Sequence, residues 1–410
     1  ISIALISCKE DLPSSKISGV IIDKYSKDPL ANATIQVLEN GPSITSESDG
    51  SFSFDNSSLI DIEQMDINGS SFAALRIQHE DYRPIEVNIQ LNSKTEIGLT
   101  DKELPTYYYN QPVQLNDNIP TGPLSESSLD RQTIQLLMEN IVQDEYKELH
   151  SILVYKDDAL VLEDYFFGNN DTIDFENNVI VDKQPEPIQW DRTTPHYMAS
   201  VNKALTSTLT GIALDQHNLS TLATIKDYLP EYASFFADEN KASVTFESCL
   251  TMTTGFKWDE WSSNDLALLW KSEDFGDFVL SRENMGTGSE WRYNSAIPNL
   301  LLKSIETMTG VNVRDWAQEN FYGKLGITNF KWQSQPDGTA EGSARIYLTP
   351  RDMLKIGITY LNKGKWKDEQ VIPANYVAEC FEVKENTISG DYSYYFWIRE
   401  LNGIKYLSAE

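Results

Sequence analysis

The chain of 410 residues carries 62 acidic against 33 basic side chains, a formal net charge of −29. That balance repels phosphate backbones and anionic lipid headgroups, so nucleic acid and acidic membrane surfaces are excluded as partners. No run reaches the roughly 20 apolar residues of a membrane-spanning helix. Three cysteines give no disulfide framework, and the four histidines form no His-x-His or His-Glu-x-x-His group, against a metallo-hydrolase. No metal or cofactor is expected, and the length calls for two domains.

The chain begins Ile1-Ser-Ile-Ala-Leu-Ile-Ser-Cys8 without an initiator Met. Leu5-Ile6-Ser7-Cys8 resembles a bacterial lipobox at the end of an apolar signal, expected to be clipped so that Cys8 becomes the lipidated first residue. Lys9-Glu10-Asp11 resembles the acidic export signal of Bacteroidetes surface lipoproteins. This reading implies a lipid anchor that tethers the protein to a membrane without spanning it. The expected location is the cell envelope, on the periplasmic or cell-surface face of the outer membrane. The alternative is a short apolar strand with an incidental cysteine. Residues 1–15 are thus signal remnant and tether.

From Lys16 to Leu99 short alternating strands are predicted at Ile17–Asp23, Thr34–Leu38, Ser51–Phe54, Leu75–His79 and Ile85–Leu91, with turns at Asp28-Pro29 and Asp49-Gly50. Gly19-Val-Ile-Ile-Asp, Pro29-Leu-Ala-Asn-Ala-Thr-Ile and Ser48-Asp-Gly-Ser-Phe-Ser-Phe resemble the carboxypeptidase regulatory-like domain. That resemblance implies an all-β sandwich over residues 16–100, a spacer or stalk with no catalysis of its own. Residues 101–124 are rich in Pro and turn formers and form a linker.

A helix over Asp130–Glu148 and a hairpin of His150–Tyr155 with Ala159–Phe167, turned at Lys156-Asp157-Asp158, open the second half. Next comes Ser200-Val201-Asn202-Lys203. On a helix, residues three apart share a face, so the Lys203 amine can reach the Ser200 hydroxyl, and a serine needs such a base to become a nucleophile. Alone, the pattern is equally that of an N-cap serine followed by a solvated lysine. The following residues decide. Val201, Ala204, Leu205, Leu209, Ile212, Ala213 and Leu214 recur at helical spacing with small Ser, Thr and Gly between. A helix apolar nearly all round is buried, and a buried lysine requires a partner or a depressed pKa. His196 precedes this helix as a rim residue rather than a member of a Ser-His-Asp triad.

Phe246–Met252 is an apolar helical stretch in which Cys249 is a buried thiol. Trp258-Asp259-Glu260-Trp261 is an aromatic loop whose Trp258 and Trp261 either wall a substrate pocket or pack among themselves. Asp259 and Glu260 are adjacent and do not face each other across a sugar as glycosidase carboxylates do. In Gly288-Ser-Glu-Trp-Arg-Tyr293-Asn-Ser295 a glycine turn leads to a tyrosine at the mouth of a helix starting near Ala296. Such a phenol can serve as general base when a lysine lies beside it.

Five segments resemble the serine β-lactamase and penicillin-binding-protein superfamily, in its class C-like branch of esterases, peptidases and amide hydrolases. They are Ser151-Ile-Leu-Val-Tyr-Lys-Asp, Met198-Ala-Ser-Val-Asn-Lys, Leu250-Thr-Met-Thr-Thr-Gly, Trp291-Arg-Tyr-Asn-Ser and Leu348-Thr-Pro-Arg-Asp-Met-Leu-Lys-Ile-Gly, in the family's order. The resemblance implies a multidomain protein whose residues 125–410 form an α+β fold, an antiparallel sheet with a helical subdomain. It implies Ser200 as acylated nucleophile, Lys203 as its basic partner, Tyr293 as general base and the Ser200 amide as half of an oxyanion hole. The substrate is a small-molecule or peptide ester or amide.

Two departures qualify it. Ser295 stands where the family's Tyr-x-Asn motif has Asn, and a shorter hydroxyl offers fewer hydrogen bonds, which bears on β-lactam handling. The family's third motif is due after a hairpin of Tyr392–Leu401, Asn402-Gly403 and Ile404–Ala409, so the chain is expected to be clipped there. Two further readings remain open: a ligand-binding sensor without turnover, and a β-lactamase or D-Ala-D-Ala peptidase.

Overall fold

The computed structural model describes residues 16–24, 26–38, 41–54, 64–65, 71–92, 94–104, 106–143, 145–170, 173–174, 179–180 and 187–410. The lipidation candidate Cys8 lies outside the described residues. The chain divides into two compact units, one running to Tyr108 and including Gln135–Glu145, the other holding Tyr109–Ile134 and Tyr146–Glu410.

Among the described residues the first unit has eight strands: β1 (Ile17–Asp23), β2 (Thr34–Val37), β3 (Ser43–Thr45), β4 (Ser51–Phe54), β5 (Gln64–Met65), β6 (Ser71–Gln78), β7 (Ile85–Gln90) and β8 (Lys94–Leu99). One sheet has the order β4-β1-β8, with β4 antiparallel and β8 parallel to β1. The other runs β3-β2-β6-β5, with β7 also paired to β6. Alternation turns Ile35 and Val37 of β2 inward and leaves Thr34 and Gln36 partly exposed. Ile17, Ile21, Phe52, Leu75, Ile77 and Leu99 complete a shared apolar core. Three strands escape the sequence pattern because β3 and β5 are very short and β8 is half polar.

Helix α1 (Arg131–Val142) is capped by Asp130, whose carboxylate accepts from Thr133 N at 2.9 Å. It ends six residues before the expected Glu148, because its apolar face runs out at Ile141 and the polar run beyond has nothing to bury. Within the first unit Gln135 donates to the Tyr107 carbonyl at 3.0 Å, and Glu139 lies 3.8 Å from Arg83.

The second unit is α+β. Strands β9 (Ser151–Lys156) and β10 (Ala159–Tyr165) form an antiparallel hairpin. Asp157 and Asp158 at its tip have φ of 52° and 62°, the positive values a two-residue hairpin turn needs. A four-stranded antiparallel sheet joins Glu385–Thr387, Gly390–Tyr392, Trp397–Leu401 and Ile404–Ser408 in order. The expected single strand Tyr392–Leu401 is thus two, broken where Tyr395 turns to φ 62°. Asn402-Gly403 makes the final tight turn, with φ 52° and 78°. Helix α2 (Val201–Gln216) runs through the core, buried from Asn202 to Leu214, and packs on the helix Ile297–Thr309. Its small polar residues cause no penalty, because Thr208 and Thr210 donate to the carbonyls of Ala204 and Thr206, each at 2.8 Å.

Candidate active site

Ser200 sits immediately before α2, its hydroxyl making no capping bond to the helix. The chain reaches it through Ala199 at φ 45°, a left-handed conformation that costs a residue with a Cβ about 1–2 kcal/mol. That corner turns the short strand His196–Tyr197 into the helix and leaves Ser200 half-exposed. One turn on, Lys203 is only 2% exposed. Its Nζ donates to Ser200 Oγ at 3.0 Å and to the Ser343 carbonyl at 3.2 Å. The same Nζ lies 4.7 Å from the centre of the Tyr293 ring. A hydroxyl and a phenol ring 93 positions apart in sequence therefore meet around the one lysine nitrogen.

Tyr293 is held by its neighbours' backbone. Arg292 N donates to the Met252 carbonyl at 2.8 Å, the Arg292 guanidinium to the Trp258 carbonyl at 2.7 Å, and Asn294 N approaches Met252 Sδ at 3.4 Å. Trp261 is 82% exposed and its ring lies over Tyr293, with centroids 6.0 Å apart and 22° between planes. The Trp291 ring is also near, tilted by 50° with centroids 6.3 Å apart. Trp258, by contrast, is buried, 1% exposed, and supports the loop from beneath.

Glu260 organises this corner, and sequence reasoning weighed it only as a glycosidase carboxylate. It accepts from Trp258 Nε1 at 2.6 Å, Ser295 Oγ at 2.5 Å and Ser295 N at 3.1 Å. The one proton of the Ser295 hydroxyl is thereby committed, and the residue is buried. Ser295 therefore fastens the Trp258–Trp261 loop to the tyrosine segment, the place where a family asparagine would carry a longer carboxamide. A second carboxylate, Glu341, opens the turn whose Ser343 carbonyl accepts from Lys203; its sequence signature is an acidic residue followed by the small residues Gly342, Ser343 and Ala344.

His196 is stacked on Trp190 at 4.1 Å, which in turn stacks on His150 at 4.3 Å. Burial first, and the neighbouring His150 second, push its pKa down to about 4. Its Nε2 has no hydrogen-bond partner among the described residues, and it stands in an aromatic stack rather than in a triad with Ser200. Cys249 is a buried free thiol, and its pKa is raised by burial. Among the described residues no three His, Cys, Asp or Glu side chains gather as a metal site, and no helix is long and apolar enough to cross a membrane.

Chemically, a half-exposed hydroxyl hydrogen-bonded to a buried lysine, with a phenol beside it, is an arrangement that can supply a nucleophile and a path for its proton. A family model described as Beta-lactamase matches residues 148–375, which include Ser200, Lys203 and Tyr293. A 6-aminohexanoate-dimer hydrolase of Paenarthrobacter ureafaciens is 22% identical over 194 residues, 44% of this chain and 49% of the relative. The chain thus spans about half the length of this curated relative. A solved structure from Bacillus anthracis, described as a candidate 6-aminohexanoate-dimer hydrolase, superposes with a TM-score of 0.52 at 18% identity, covering 72% of this chain and 75% of that one. A penicillin-binding protein from Bacillus halodurans has a TM-score of 0.48 at 18% identity, over 65% of this chain and 84% of that one. The chain belongs to the β-lactamase family.

Proposed function

We propose that the protein hydrolyses a small amide or ester through an acyl-Ser200 intermediate. The observation that carries this is the 3.0 Å contact of Lys203 Nζ with Ser200 Oγ, with the Tyr293 ring beside the same nitrogen. In this mechanism the Ser200 proton passes to the Lys203–Tyr293 pair as Oγ bonds to the substrate carbonyl carbon. Collapse of the tetrahedral adduct expels the amine or alcohol, which leaves with that proton. Water, deprotonated by the same pair, then releases the acid and returns the proton to Ser200. The Ser200 peptide N–H is one donor to the developing oxyanion.

The curated relative is named for hydrolysing a 6-aminohexanoate dimer, and an amino acid dimer is joined by an amide. An amide is accordingly the favoured substrate class, bounded on one side by the exposed ring of Trp261. The carboxypeptidase regulatory-like spacer over residues 16–100 and a lipid anchor at Cys8, placing the enzyme on the cell envelope, belong to the same reading on sequence motifs.

The test is labelling by a fluorophosphonate and by a fluorescent penicillin. Wild type should take up the phosphonate, Ser200→Ala should take up none, and Tyr293→Phe should react roughly 10²–10⁴-fold more slowly, the usual worth of a positioned base. Penicillin uptake as well would move the substrate toward cell-wall amides. A folded wild-type protein that takes up neither would refute the hydrolase reading.

A further inference from the structure

Glu341 is a carboxylate buried completely inside the protein, a costly placement unless its charge is met. It is met by backbone. One oxygen accepts from three successive peptide N–H groups, those of Ser343 at 3.0 Å, Ala344 at 2.7 Å and Arg345 at 2.8 Å. The other accepts from the Ser343 hydroxyl. Consecutive N–H groups converging on one anion form a concave nest, and a peptide plane whose N–H is fixed has its carbonyl fixed as well.

Two of those carbonyls, Gly342 and Ser343, and the Glu341 carbonyl just before them are where α2 is gripped. The Glu341 carbonyl accepts from Asn202 Nδ2 at 2.9 Å, the Gly342 carbonyl from Thr206 Oγ1 at 2.7 Å, and the Ser343 carbonyl from Lys203 Nζ at 3.2 Å. Three successive carbonyls thus meet three residues on one face of the helix's opening turns. The turn is also pinned from outside: Trp332 Nε1 donates to the Glu341 carbonyl at 2.7 Å, and Gly342 N to Asn299 Oδ1 at 2.8 Å. A side chain at residue 342 would stand 2.8 Å from the Pro298 carbonyl, so only glycine allows this approach.

We propose that Glu341 is a positioning residue for Lys203, shaping the turn whose Ser343 carbonyl aims the lysine amine at Ser200; this rests on the acyl-Ser200 reading. Lys203 has one acceptor on the nucleophile and one on this turn. With the second misplaced, the amine is free to rotate off Ser200, and a displacement of about 1 Å between reacting groups can cost on the order of 100-fold in rate.

The experiment is fluorophosphonate inactivation of the full chain, resolved into the maximal rate, the half-saturating probe concentration and the moles of label taken up per mole of protein. Glu341→Ala should lower the maximal rate about 10–100-fold while full labelling is still reached at an unchanged half-saturating concentration. Glu341→Gln, whose carbonyl can still accept from the nest, should recover part of the rate. A purely architectural role would give fewer active molecules reacting at the wild-type rate, and that result overturns the proposal. Should Glu341→Ala not fold, Thr206→Val decides. It frees the adjoining Gly342 carbonyl, and a wild-type maximal rate there overturns the proposal equally. Absence of Ser200-dependent labelling in wild type removes the hydrolase reading itself and this inference with it; a labelled wild type with unaltered variants removes only the inference.

Discussion

Ser200 and Lys203 were visible in the sequence because the helix makes them neighbours by local geometry alone, three residues apart on one face. Tyr293 needed the family resemblance, since nothing local ties it to a lysine 90 positions earlier. The contacts of Glu260 and Glu341 were illegible for a different reason: they depend on partners that only folding supplies. Ser295 lies 35 residues from Glu260, and the Glu341 nest is made of peptide groups, which every sequence has. His196 carries a prediction at this scale. Its pKa is about 4 in the folded protein against the usual 6.5, so below pH 6.5 the unfolded chain takes up a proton that the folded one refuses. The stability contribution is complete above about pH 6.5 and drains away as pH falls toward 4. Urea midpoints should therefore drop between pH 7 and pH 5, a range above most carboxylate titrations. His196→Phe, which keeps a ring against Trp190, should flatten that drop; an equal drop in the variant would assign it elsewhere.

Elements with strong periodicity were predicted well. The buried helix after Ser200 and the hairpins with Asp157-Asp158 and Asn402-Gly403 tips declare themselves through spacing and turn chemistry. What periodicity misses is where a polar strand is recruited by its neighbours, as β8 is by β1, or where a strand breaks at a single left-handed residue such as Tyr395. Helix α2 shows packing overruling propensity. Gly211 lies mid-helix, where alanine would ordinarily stabilise by about 1 kcal/mol. A Cβ there would stand 2.4 Å from a ring carbon of Tyr376. That ring has no freedom to yield, because it is buried and its hydroxyl is bonded to Ser207 at 2.8 Å. Overpacking of this kind costs about 1–3 kcal/mol or more, so the clash wins. Gly211→Ala should unfold at lower denaturant, by about 1–2 kcal/mol net with the slope unchanged; a stabilised variant would show that Tyr376 can move.

For the whole molecule, the change from alternating to helical periodicity announced a β-rich part followed by an α+β part. Long-range fastening was not announced. Arg351 is buried and reaches Glu163 on β10 at 2.6 and 2.7 Å, Asp117 at 2.7 Å and the Val113 carbonyl at 2.8 Å. It thereby binds the helix Pro350–Leu361 to pieces of chain some 190 to 240 positions earlier, which no local pattern could reveal. The excursion of α1 has a topological outcome. The chain leaves the first unit after Tyr108 and comes back to it for Gln135–Glu145, so that unit is made of two strips of polypeptide rather than one. A protease cutting once in the Pro-rich run between them would leave the two strips of that unit joined by packing alone. Nicked protein should give two bands under denaturing electrophoresis and a single particle of undiminished size in gel filtration. Two separated native peaks would mean that the returning strip holds nothing in place.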